Sequence, residues 1–299
     1  MSRVHICEVG PRDGLQNAKH LMRTEAKKAW ISALAAAGLR EIEVGSFVPP
    51  KLIPAMADTG EVVRFSRTLP NVKVVALAPN LKGFQRAVEA GAHKVTFPVS
   101  ASRRHSESNV RMTPEQMVEE VRKCAELGGA EIEGAVSTAF GCTMQGLVPE
   151  DDVVRIAVSL AGFCDAVALA DTVGYANPAQ VKRIFSRVKM EIGGKLEGAH
   201  FHNTRGLGLA NALAAYEVGV RNFDSSMGGL GGCPFAPGAS GNVITEDLVF
   251  MFESMGVPTG IDLDKLFAAR KILVEAIPGE PVYGHTPVAG LPKGFRAAA

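Results

Sequence analysis

Short runs rich in β-branched residues recur along this chain, and each is followed by a longer stretch with helical periodicity. The pair occurs eight times. The strand-like runs span residues 4–8, 41–45, 72–78, 94–99, 132–137, 166–170, 196–200 and 222–226. Several are apolar at nearly every position, as strands covered on both faces must be. The stretches between them carry amphipathic stripes. One over 24–37 aligns Ala26, Trp30, Leu34 and Ala37. Another over 117–127 follows Thr113-Pro114-Glu115-Gln116, an N-cap, a first-turn proline and a capping-box partner in order. Asn177-Pro178-Ala179-Gln180 opens a third in the same way, and Gly38, Gly91, Gly128 and Gly219 stand where helices end.

Eight such units within roughly 250 residues predict an α/β chain folded as a (β/α)8 TIM barrel. The competing architecture is a doubly wound sheet, which usually carries fewer strands and a GxGxxG turn after the first. Here the first strand runs into Gly10-Pro11-Arg12-Asp13-Gly14 instead. No linker or low-complexity segment divides the chain. The expectation is one domain over 1–299, with a barrel core over about 3–258 and a C-terminal extension over about 259–299 whose residues 262–276 form an added outer helix.

Composition narrows the class of partner. A formal net charge of +1 supplies no long-range attraction for nucleic acid or an anionic membrane, and 46% apolar residues suffice for a large core. No run has the length of a signal peptide or a membrane span, so a cytoplasmic protein is expected. The five cysteines form no CxxC pair, and neither a disulfide framework nor a zinc knuckle is expected.

In a barrel, chemistry gathers at the carboxyl ends of the strands. Read in order, those ends present Glu8 with Arg12 and Asp13, then Glu43 and Ser46, then Ser137, then Asp171 and Thr172, then His200-Phe201-His202. After the last strand comes a glycine-rich segment from Gly228 to Asn242 containing Cys233. Residues two apart on a strand share a face, so His200 and His202 can offer two nitrogens to one ion. Asp13 should approach them, because the first strand of a barrel closes against the eighth. Asn242 adds a neutral oxygen. Two nitrogens and two hard oxygens suit a divalent cation, Mg2+ or Mn2+ before Zn2+. Each residue also has a plainer reading: unrelated histidines at a strand end, a turn aspartate before Gly14, a helix N-cap before residues 244–255 for Asn242, and a packed thiol for Cys233.

Glu8-Val9-Gly10-Pro11-Arg12-Asp13-Gly14-Leu15-Gln16-Asn17 resembles the opening signature of the 3-hydroxy-3-methylglutaryl-CoA lyases, in the DRE-TIM metallolyase superfamily. The segment GGLGGCPFAPGASGN, from Gly228 to Asn242, is similar to that family's catalytic-cysteine loop, and Ser46-Phe47-Val48-Pro49-Pro50-Lys51, Pro79-Asn80-Leu81-Lys82-Gly83 and Asp171-Thr172-Val173-Gly174 match as well. The resemblance implies metal ligation by Asp13, His200, His202 and Asn242, stabilisation of an enolate by Arg12, and a reactive thiol at Cys233. It also implies support of the metal and the arginine by Glu43. Glu8 is expected just behind these groups, and Ser46, Thr172 and Arg205 near the substrate.

The reaction so implied is retro-Claisen cleavage of an acyl-CoA thioester to acetyl-CoA and acetoacetate, with Asp13 or His200 as base. Two departures bear on the substrate. After the second histidine the family usually has Asp-Thr-Tyr-Gly, where this chain has Asn203-Thr204-Arg205-Gly206. Where it usually has Arg-Gly-Tyr-Val-Ser-Cys, this chain has Glu133-Gly134-Ala135-Val136-Ser137-Thr138. If positions 133, 135 and 137 line the barrel, the pocket is wider and its charge altered, and Arg205 would supply the missing cation. A different 3-hydroxyacyl-CoA is then the competing substrate. A non-catalytic acyl-CoA-binding barrel and a Claisen synthase are more distant alternatives. Self-association of the chain is also expected.

Overall fold

We describe the chain from a computed structural model, over residues 3–231 and 241–298. Eight parallel strands close on themselves in sequence order: β1 (His5–Glu8), β2 (Glu41–Ser46), β3 (Lys73–Leu77), β4 (Lys94–Ser100), β5 (Glu131–Ser137), β6 (Ala166–Asp171), β7 (Leu196–Phe201) and β8 (Asn222–Ser225). β1 pairs with β8 in the register His5 to Asn222 through Glu8 to Ser225, which completes the barrel. Every strand lies within a residue or so of its expected run. β6 is buried at all positions, as a strand between a filled lumen and a layer of helices must be.

The helices begin where the sequence places caps. Helices α1 (Thr24–Ala36), α2 (Thr59–Ser66), α3 (Leu81–Ala90) and α4 (Arg103–Val110) precede α5 (Pro114–Leu127), whose Thr113 and Gln116 form the full capping box. After α6 (Glu150–Ala161), helix α7 (Pro178–Ile192) is capped by the Asn177 side chain on Gln180 N–H at 3.0 Å. Helices α8 (Gly208–Glu217) and α9 (Thr245–Ser254) finish the ring. Trp30, Leu34 and Ala37 from the predicted stripe are fully buried.

Helix α10 (Leu263–Ala276) is the added outer helix. It buries Leu263, Leu266, Ala269 and Leu273 as it packs on α1. The short α11 (His285–Ala289) is capped by the Asp247 carboxylate, which accepts from His285 and Thr286 N–H. One contiguous apolar core runs from Val4 to Ile277. Among the described residues no helix is long and apolar enough to cross a membrane.

Two local irregularities position the site. After β1 the chain makes one wide helical turn, Gly10–Gly14, in which the N–H groups of Arg12, Asp13 and Gly14 all converge on the Val9 carbonyl at 3.1, 2.7 and 3.4 Å. Wide turns of this kind recur at functional sites. In β2 the register with β3 slips between Glu43 and Gly45, a bulge that re-aims Glu43 at the barrel mouth.

Candidate metal centre

The wide turn after β1 projects Arg12 and Asp13 over the carboxyl end of the barrel. Asp13 is almost fully buried and its acceptors are heavily used. Its Oδ1 receives Arg12 Nη1 at 2.6 Å and Gln16 Nε2 at 2.8 Å, and its Oδ2 receives Asn242 Nδ2 at 2.6 Å. Arg12 Nε donates to Glu43 Oε2 at 2.6 Å, so two carboxylates fix the guanidinium. The predicted approach of Asp13 to β7 and β8 follows from barrel closure.

His200 and His202 face one another, with their Nε2 atoms 3.1 Å apart. The His202 Nε2 lies 3.7 Å from Asp13 Oδ2. One ligand-type atom from each of Asp13, His200 and His202 falls within 4.8 Å of the others. Asn242 joins them because the chain returning from the glycine-rich segment zips onto the end of β7. His202 and Asn242 form an antiparallel bridge, Asn203 N–H donates to Gly241 O at 3.0 Å, and Val243 N–H donates to Phe201 O at 3.0 Å. The N-cap reading of Asn242 fails, since α9 starts at Thr245 with Ile244 at the cap position. Its Nδ2 is shared between Asp13 and the Leu230 carbonyl, at 2.9 Å from the latter. Among the described residues its Oδ1 is buried without a partner.

That orphaned oxygen tests the fit to a cation. Burying a polar atom unpaired costs free energy unless something meets it. Here it accompanies a carboxylate and two imidazoles at a strand mouth. The donor set of two nitrogens and two oxygens fits a divalent cation.

Burial sets the electrostatics of this pocket. It would raise the Asp13 carboxyl, but the Arg12 guanidinium and the two nearby imidazoles hold it well below the usual carboxylate range. Burial pushes Glu43 up to about 7 even though Arg12 pulls it down, with Asp224 and Asp13 adding repulsion. Burial would lower His200, but its bond to Asp224 wins and raises it.

The other expected residues have definite places. Glu8 sits beneath the turn. Its Oε1 accepts from Gly10 and Met227 N–H at 2.8 and 2.9 Å, and its Oε2 from the Thr245 hydroxyl at 2.6 Å. The Ser46 hydroxyl accepts from Val48 N–H at 3.3 Å. The Thr172 hydroxyl accepts from Thr138 N–H at 2.8 Å, holding a peptide whose φ is +55°. Arg205 is exposed; it donates to the Val173 and Gly174 carbonyls and lies over the Tyr175 ring at 4.5 Å. The groove it lines with Phe140, Tyr175, Asn177 and Arg183 shares none of the ligand-cluster residues. Cys233 lies outside the described residues.

On β5, Glu133 and Ser137 are buried and Ala135 half-buried, all on the lumen face. Glu133 is not a free anion, because its Oε2 receives Lys94 Nζ at 3.0 Å, and Lys94 also pairs with Glu41. The altered charge at position 133 therefore has a direct counter-ion in Lys94, which it shares with Glu41.

Two contributors escaped the sequence reading. Gln16 supports Asp13 from three residues on, the spacing at which side chains meet along a helical turn. Asp224 Oδ2 meets His200 Nδ1 at 3.0 Å. Strand parity on β8 and its neighbourhood with β7 carried the signal, since the register opposes His200 and Asp224 directly.

Comparisons with known proteins place the chain in a family. The sequence matches the HMGL-like family over residues 3–273. It is 39% identical to the hydroxymethylglutaryl-CoA lyase of Bacillus subtilis, covering 94% of this chain and 95% of that one. It is 40% identical to the mitochondrial hydroxymethylglutaryl-CoA lyase of Homo sapiens, covering 92% and 86%. Among solved structures, an HMG-CoA lyase from Acinetobacter baumannii in complex with coenzyme A and 3-methylmalate superposes with a TM-score of 0.93 at 43% identity, over 99% of this chain and 98% of that one. Matched over nearly its whole length, this chain belongs to the HMGL-like family.

Proposed function

We propose that the chain is a divalent-metal-dependent carbon–carbon lyase that cleaves 3-hydroxy-3-methylglutaryl-CoA to acetyl-CoA and acetoacetate. The observation that carries this reading is the convergence of Asp13, His200 and His202 within 4.8 Å, with the unpartnered Asn242 Oδ1 alongside and Arg12 held beside them by two carboxylates. When bound, Mg2+ or Mn2+ supplies Lewis-acid polarisation of the substrate's oxygens.

The protein's own groups then divide the work. Both nitrogens of His200 are committed, Nδ1 to Asp224 and Nε2 to the metal position, so the imidazole serves to hold rather than to take a proton. Asp13, whose oxygens keep lone pairs beyond those that accept from Arg12, Gln16 and Asn242, takes the proton of the 3-hydroxyl. The bond between C2 and C3 breaks, its electron pair forms the acetyl-CoA enolate, and the ketone departs as acetoacetate. Arg12 stabilises the charge that develops on the enolate oxygen. Cys233 returns a proton to the enolate carbon.

The half-buried Ala135 on the lumen face favours a second reading, in which the 3-substituent is bulkier than methyl. Enzyme stripped with a chelator and reloaded with Mg2+ or Mn2+, assayed for acetyl-CoA release from a series of 3-hydroxyacyl-CoA thioesters, decides between them. Turnover of the methylglutaryl thioester only after reloading supports the first reading, and turnover confined to a bulkier homologue supports the second. Metal-independent cleavage, or none of any thioester, refutes both. In the active enzyme Cys233→Ser should lower kcat by about 10²-fold or more, the usual worth of a positioned proton donor, with metal content unchanged.

A further inference from the structure

Asp224 has no role in the reaction as described beyond bracing His200, and its surroundings make it an odd residue to keep. It projects into a lumen already holding Glu43 and Glu133, and its charge pushes the carboxyls of both neighbours up. Lys94, the cation nearest the lumen floor, pairs with Glu41 and Glu133 instead. Among the described residues the one side-chain hydrogen bond that Asp224 makes is to His200 Nδ1, at 3.0 Å. Arg12 is near enough to feel the charge of Asp224 but pairs directly with Asp13 and Glu43. A carboxylate kept beside two like charges for a single direct contact is better explained by what that contact does than by stability.

We infer that Asp224 is a positioning residue that fixes His200 as the Nδ1–H tautomer and so presents the Nε2 lone pair to the metal position. An ionised carboxylate can only accept, so the ring nitrogen facing it must carry hydrogen. In the neutral ring the lone pair is then at Nε2, the atom turned toward His202 Nε2 at 3.1 Å. The strand register makes the arrangement rigid: His200 and Asp224 are direct partners on β7 and β8, and their side chains are 12% and 29% exposed. Among the described residues His202 has no counterpart, for its Nδ1 is buried and partnerless. The two imidazoles are therefore inequivalent, with His200 set in advance by the protein and His202 free of such a constraint. Carboxylates behind ligating histidines generally contribute 10–100-fold to metal affinity.

The inference rests on the proposed metal site, but half of its test needs neither metal nor substrate. In metal-free full-length protein, 15N-edited NMR of the imidazoles should show His200 as the Nδ1–H tautomer in the wild type. Asp224→Ala should give a tautomer mixture at His200 and leave His202 unchanged. Mn2+ titration followed by EPR should show affinity about 10–100-fold weaker for Asp224→Ala. Asp224→Asn retains an acceptor oxygen, so it should keep the tautomer and lose less affinity. An Nε2–H tautomer in the wild type, or wild-type Mn2+ affinity in Asp224→Ala, overturns the inference. Should Asp224→Ala fail to fold, the wild-type tautomer and the Asp224→Asn titration still decide it. A protein that showed the expected tautomer yet cleaved no thioester would refute the proposed reaction and leave this inference standing.

Discussion

At the scale of single residues, the site depends on close approaches that only certain side chains permit. Gly231 has φ +96°, and a Cβ there would lie 2.7 Å from Asn242 Nδ2 and 2.8 Å from the Asp13 carbonyl oxygen. Glycine is needed both for the left-handed backbone and for the space. Gly231→Ala should therefore push Asn242 and the Asp13 turn apart and weaken Mn2+ binding by about tenfold or more, the usual size of a disturbed ligand shell. Calorimetric titration of the metal checks this, and an unchanged affinity would show that the turn absorbs the methyl. Most of the proposed ligand set was legible in the sequence, because a histidine pair at one strand end and an Asp-Gly turn at another carry local signals. Asp224 was not, since strand parity gives its face but not the register that sets it opposite His200. Arg205, offered by the sequence as a replacement for the cation missing at position 133, is held by the ring of Tyr175 and two carbonyls in a groove apart from the ligand cluster.

At the scale of elements, the turn after β1 is the piece on which the site is hung, and Glu8 is its anchor. The carboxyl takes three donors from three separate segments, yet burial pushes its pKa up from 4.5 to about 8. A carboxyl whose pKa is raised on folding binds more protons folded than unfolded between those values. Its contribution to stability is therefore fully present below about 4.5 and drains away as pH rises through about 8. Glu8→Gln should keep the turn, because the Gln carbonyl can accept from Gly10 and Met227 while its amide donates to the Thr245 oxygen. The variant should also lose this component of the pH dependence. Urea unfolding of both proteins across that interval measures it. Parallel pH profiles for the two would mean that Glu8 is ionised in the folded protein at neutral pH. The strands and helix starts were readable because capping residues and apolar runs act locally. The wide turn and the β2 bulge were not, since both arise from packing against neighbouring strands.

At the scale of the whole molecule, barrel closure makes one site from residues far apart in the chain. β1 beside β8 brings Asp13 to the end of β7, and the bridge from His202 to Asn242 draws in the segment that follows β8. The outer helix α10, packed on α1, belongs to the same continuous core. Such a framework can hold four donors in place before any ion arrives, which lowers the ordering cost of binding. Within the lumen beneath them Lys94 pairs with Glu41 and Glu133, so the anion at position 133 is met by a cation on the neighbouring strand. The central claim is the shared cation, and an anomalous difference map from crystals soaked in Mn2+ tests it most directly. The account predicts one strong peak with Asp13, His200, His202 and Asn242 all within about 2.0–2.6 Å, the range of oxygen- and nitrogen-bound divalent ions. A map with no peak there, or with a peak that any of the four fails to reach, would contradict it.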